Sequence, residues 1–130
     1  MIGCGGIAQV HKWVLRNMSD VALAAVCDID ESKAEDFVTD CAEESPKVFT
    51  DWKKMCETDV DVVHICTPHF LHVPMAIELM DAGKAVFMEK PSAISREQFE
   101  ALQEVDSKYP GRLGFCFQNR YNETTMKIDQ

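Results

Sequence analysis

The first eight residues contain Gly3-Cys4-Gly5-Gly6-Ile7-Ala8, with small residues at the spacing G-x-G-x-x-A. Each small residue has a physical task in binding an anion. Gly3 permits a tight turn, Gly5 lets a pyrophosphate approach the backbone, and Ala8 lets a helix pack closely on a sheet. Gly6 and Ile7 complete the loop and open that helix, whose unpaired N–H groups and dipole favour negative charge. Asp28 stands 20 residues after Ala8. A carboxylate there, at the end of a second strand, can accept the hydroxyls of an adenosine ribose. The same carboxylate would repel a 2′-phosphate, and the following Ile29-Asp30-Glu31-Ser32 offers no arginine to receive one. NAD is therefore expected over NADP. Asp30 is better placed than Asp28 to cap the next helix.

Other chemistry-bearing strings follow later strands: Thr67-Pro68-His69-Phe70-Leu71-His72, then Glu89-Lys90-Pro91, then Gln118-Asn119-Arg120-Tyr121-Asn122. A lysine at a strand end, before a rigid proline, can exchange a proton with a substrate oxygen when partial burial tunes it. His69 and His72 invite a metal reading, but zinc needs three or four ligands and no third is close in sequence, so no metal is expected. His72 is expected to tie its loop down beside the cofactor, with His11 on a helix and His64 within a strand. The six cysteines contain no C-x-x-C pair and read as reduced, buried thiols in a cytoplasmic protein.

These residues need strand ends to present them, and the hydrophobic periodicity supplies alternating β and α segments. Strands are expected at Met1–Ile2, Val21–Cys27, Lys47–Phe49, Val60–Cys66, Ala85–Met88 and Arg112–Phe117. Helices are expected at Gly6–Met18, Glu31–Cys41, Asp51–Glu57, Val73–Ala82 and Ser95–Lys108. Pro74 suits a first helical turn, Gly83 a helix stop, and Ser95 with Gln98 a capping box. The pattern predicts an α/β, doubly wound parallel sheet in the order 3-2-1-4-5-6, with its first strand truncated to two residues. Ligands of such sheets bind beyond the carboxyl ends of the strands at the switch point, where Thr67 and Pro68 would face the glycine loop. The short first strand should leave a gap, which a homo-oligomer would be one way of covering.

The length of 130 residues suits one domain, and a net charge of −9 argues against a nucleic-acid partner. No apolar run approaches the roughly 18 residues of a membrane span. Residues 1–120 are expected to form the dinucleotide-binding domain and 121–130 the start of a connection to a second domain that the chain lacks.

With their order and spacing, the glycine loop and the three later strings resemble the glucose-fructose oxidoreductase/inositol dehydrogenase (Gfo/Idh/MocA) family over nearly the whole chain. The resemblance implies a Rossmann-type N-terminal domain of an NAD(P)-dependent dehydrogenase acting on a sugar, inositol or related polyol. It implies a threonine-proline loop bordering the cofactor at Thr67 and Pro68. It places the E-K-P lysine, Lys90, next to the nicotinamide and the reacting hydroxyl, with Glu89 next to it. Substrate contacts would come mostly from the second domain, so this chain alone is expected not to turn over substrate. A non-catalytic dinucleotide-binding regulator is the alternative, against which Lys90 counts; a methyltransferase would leave the E-K-P string without a role.

Overall fold

The computed structural model describes residues 1–41 and 45–128. Helices α1 (Gly6–Arg16), α2 (Glu31–Val38), α3 (His72–Asp81), α4 (Arg96–Lys108) and a short α5 (Glu123–Ile128) alternate with five strands among the described residues. The strands are β1 (Ala25–Cys27), β2 (Lys47–Phe49), β3 (Val62–Ile65), β4 (Ala85–Glu89) and β5 (Leu113–Cys116). Every strand pair is parallel. Ile2 makes isolated parallel bridges to Cys27 and to Ile65, so it occupies the centre of the expected order, β2-β1-Ile2-β3-β4-β5.

Several expected boundaries shift. Met1–Ile2 contributes bridges rather than a strand, and the expected Val21–Cys27 strand shrinks to Ala25–Cys27. Residues 21–24 instead border a cavity of about 490 Å³, together with Met1, Leu15, Met55, Val60 and Val62, which is the anticipated gap. The expected helix at Asp51–Glu57 is a 3-10 turn over Trp52–Glu57, with the Asp51 carboxylate accepting from the Lys53 N–H at 3.0 Å. Of the expected connection 121–130, residues 129 and 130 lie outside the described residues.

Helix α2 stops at Val38, short of the expected Cys41. The buried ammonium of Lys12, on α1, donates to the Phe37 carbonyl at 2.7 Å and to Asp40 at 2.8 Å. A cation on the last carbonyls satisfies acceptors that a helix end otherwise leaves open. That contact holds the Asp40 carboxyl below its ordinary range, the Lys12 hydrogen bond being the main cause. Ser95 caps α4 by accepting from the Gln98 N–H, while Gln98 reaches back to the Ile94 N–H, each at 3.2 Å. Gly83, at φ +84°, ends α3.

Two apolar clusters divide the interior. Ala8, Val26, Ala34 and Phe37 belong to the one that holds α1 and α2. Val63, Ile65, Leu79, Met80, Val86, Met88 and Leu102 belong to the larger one under α3 and α4. No helix among the described residues is long and apolar enough to cross a membrane.

Candidate functional site

Gly3 sits at φ +86°, and a Cβ added there would lie 2.6 Å from the Cys66 carbonyl oxygen. Only glycine fits a left-handed turn pressed against backbone. The turn carries the chain from Ile2 into α1, whose N-cap is Gly5 with no side-chain cap and no acid in the first turn. A Cβ at Gly5 would meet nothing within 4 Å, so protein packing does not require glycine there; an approaching ligand would. Ala8 is fully buried beneath the helix, as close packing on the sheet demands.

Asp28 follows β1. Its carboxylate accepts the Cys4 N–H at 2.8 Å and the Asp30 N–H at 3.0 Å, which orients it beside the glycine loop. Asp30 accepts the Lys33 N–H and caps α2. Gly3, Gly5, Asp28, Thr67 and Pro68 line one cleft of about 380 Å³ at the carboxyl edge of the sheet. Sequence reasoning missed Lys33, Thr50 and Trp52 on its walls, and Phe70, inside the threonine-proline string, was given no role of its own. Lys33 had a signal, being in the first turn of α2 three residues after its cap, whereas Trp52 belongs to no motif.

Gly6 and the half-exposed Ile7 stand at the start of α1, outside the cleft lining. His72, expected next to the cofactor, is fully buried behind the cleft. Its ring nitrogens contact the Thr67 carbonyl at 2.9 Å and the Pro91 carbonyl at 3.0 Å, so it ties the threonine-proline loop to the lysine loop.

Lys90 is exposed at the end of β4, on the strand beside the Thr67 loop. The preceding Glu89 is buried and both its oxygens are engaged. One accepts from His11 Nε2 at 3.0 Å and the other from the Lys90 backbone N–H at 3.2 Å. Burial pushes the Glu89 carboxyl up, but His11, Cys116 and the Lys90 N–H together outweigh it and hold it below its ordinary value. His11 Nδ1 also lies 3.0 Å from His64 Nδ1, one N–H being shared between the rings. Burial, and secondarily His11, lowers the His64 pKa to about 4, so His64 is neutral at neutral pH.

No spacing in the sequence suggested that α1, β4 and β5 would bring His11, Glu89 and Cys116 within 4.8 Å of one another. The set resembles a ligand triad, yet its polar atoms already bond to one another and to Lys90, and no buried side-chain nitrogen or oxygen among the described residues lacks a partner. All six cysteines are free thiols. Burial pushes Cys4 and Cys27 up to about 11 and Cys66 to about 12, which makes them poor nucleophiles.

Residues 1–115 match the family model of the Gfo/Idh/MocA oxidoreductases, described as an oxidoreductase family with an NAD-binding Rossmann fold. The chain belongs to this family. An alpha-N-acetylgalactosaminidase of Bacteroides fragilis is 32% identical over 99% of the chain, which spans 32% of that relative. An inositol 2-dehydrogenase of Rhizobium meliloti is 30% identical over 98% of the chain, which spans 38% of it. The structure of the WlbA dehydrogenase of Bordetella pertussis, solved with NADH and UDP-GlcNAcA, superposes with a TM-score of 0.88 at 27% identity. That likeness covers 98% of this chain and 36% of the other. The chain is thus an NAD-binding Gfo/Idh/MocA domain that spans about a third of the length of the relatives it matches.

Proposed function

We propose that the chain supplies the cofactor half of an NAD-dependent oxidoreductase that oxidises a CH–OH group of a sugar, inositol or related polyol. The observation that carries this reading is the shared carboxyl edge: glycine loop, Asp28 and Thr67-Pro68 around one cleft, with Lys90 at the end of the neighbouring strand. The residues suit the dinucleotide, since open space at Gly5 leaves room for a pyrophosphate and Asp28 stands where the adenosine ribose would lie. Bound NAD supplies the hydride acceptor. Lys90 Nζ takes the substrate hydroxyl proton as the carbon–hydrogen bond breaks, and returns it in the reverse direction. Thr67 and Pro68 border the dinucleotide, and His72 and Glu89 hold the loops that carry these groups. We place the protein in the cytoplasm.

In a version of the chain extended by a substrate domain, Lys90→Ala should lower kcat by about 100-fold. NAD affinity should stay within about twofold, because lysine contacts to a remote pyrophosphate are not involved. An unimpaired variant would overturn the role of Lys90 and leave the dinucleotide-binding regulator as the better reading. Calorimetry should also find NAD bound more tightly than NADP, with Asp28→Ser narrowing the gap; equal affinities in the unaltered chain would refute the role of Asp28.

The glycosidase relative favours a second reading, in which the same site serves cleavage of a glycoside. Net NADH formation from a polyol marks the dehydrogenase. Release of free sugar without net NADH marks the glycosidase.

A further inference from the structure

We propose that His11 is a positioning residue through which occupancy of the phosphate loop sets the reactivity of Lys90. The coupling itself requires only that the glycine loop binds the dinucleotide; its consequence for catalysis rests on the reading of Lys90 given above.

Helix α1 carries both ends of the connection. Its N-terminus, at Gly5 and Gly6, is the anion-facing end, and His11 lies further along the same 11-residue helix. A helix of that length shifts as a unit, because its backbone bonds link every turn. His11 is only 7% exposed, and its Nε2 contacts Glu89 Oε1 on β4 at 3.0 Å. Glu89 Oε2 then accepts the backbone N–H of Lys90. The far side of the imidazole is fixed as well, by His64 Nδ1 at 3.0 Å and an edge-on ring contact with centroids 5.3 Å apart. Phe87 closes the cluster, with its ring centroid 5.0 Å from that of His64. His11 therefore has little room to reorient without moving Glu89, and Glu89 has no free oxygen with which to absorb the movement. A carboxylate that receives hydrogen bonds from α1 and from the backbone of Lys90 joins the two functional segments through buried groups.

The test uses ADP, which fills the adenosine and pyrophosphate positions without a nicotinamide to shield Lys90. Brief acetylation with acetic anhydride is followed at Lys90 by peptide mass spectrometry, with the exposed Lys54 as internal control. Saturating ADP, its binding verified by calorimetry, should change the Lys90 rate by about two- to tenfold and leave Lys54 unchanged. His11→Leu should abolish the response. His11→Gln, whose amide nitrogen stands near the position of Nε2, should restore it, which a merely structural role for the ring would not predict. If His11→Leu does not fold, Glu89→Gln carries the same expectation of a lost response at nearly unchanged volume. A Lys90 rate indifferent to bound ADP, or a full response in His11→Leu or Glu89→Gln, would overturn the coupling and leave the cofactor reading intact. Failure of ADP to bind would overturn both.

Discussion

The two halves of the sheet are built differently. On the lysine side, β3, β4 and β5 are four or five residues long and rest on a large apolar cluster under α3 and α4. On the glycine-loop side, β1 and β2 are three residues each and the central position holds only the isolated bridges of Ile2. Individual bonds replace ladder length there: Ile2 N–H to His64, Gly3 N–H to Cys27 and Cys66 N–H to Ile2, each 2.8 Å. A regular sheet spreads the cost of any one change over many contacts, whereas a site held by single bonds concentrates it. The half that carries the glycine loop and Asp28 is therefore the half in which one substitution should alter stability and, on the reading proposed above, cofactor binding as well.

The largest expected effect tests that concentration directly. Gly3→Ala places a Cβ against the Cys66 carbonyl in a left-handed conformation and should cost at least about 3 kcal/mol by urea unfolding. NAD binding should be lost with it; a variant of normal stability and affinity would remove the distinction between the halves.

Leu79→Ala, at a fully buried position of the large cluster, should cost about 3 kcal/mol through cavity formation. Calorimetry on the folded protein should nevertheless return the wild-type NAD affinity. Lys12→Met should cost about 2 kcal/mol, because the Phe37 carbonyl loses its donor and Asp40 its buried partner. Here the affinity should fall as well, since Lys12 fixes α1 against α2. Equal NAD affinities in the two variants would break the comparison.

The smallest effect is a pH dependence at the seam between the halves. The folded-state pKa of His64 is lowered to about 4, mainly by burial, from 6.5. The unfolded chain therefore binds a proton that the folded chain refuses between those values, so stability falls as pH drops through that window. Between pH 7.5 and 5.5 the contribution of His64 to that loss should be about 1 kcal/mol. His64→Val should make that part of the profile shallower by this amount, and an unchanged slope would remove His64 as a source.

Much of this architecture was legible in the sequence, because glycine spacing and β-branched runs report backbone requirements that are local. Lys47–Phe49 kept its expected strand bounds, and Ser95 capped its helix, for that reason. The cleft residues Gly3, Gly5, Asp28, Thr67 and Pro68 were found because a strand end announces its own position. What failed to show was everything that depends on a distant partner. Residues 21–24 have strand composition but border a cavity, and composition cannot report which neighbours a segment finds. Lys12 reads as one charge on an amphipathic helix until α2 places a carbonyl above it. Glu89 reads only as the neighbour of Lys90 until α1 brings His11 against it from 78 residues away.

The uncapped start of α1, free of acidic and basic side chains in its first turn, has a kinetic consequence. Backbone donors attract an anion only at close range, while a chain of net charge −9 repels a dinucleotide from a distance. Encounter should therefore be slowed at low ionic strength. Added salt screens the repulsion over a Debye length of about 10 Å at 0.1 M, so NAD association should accelerate with salt. Dissociation, governed by short contacts in the cleft, should change much less.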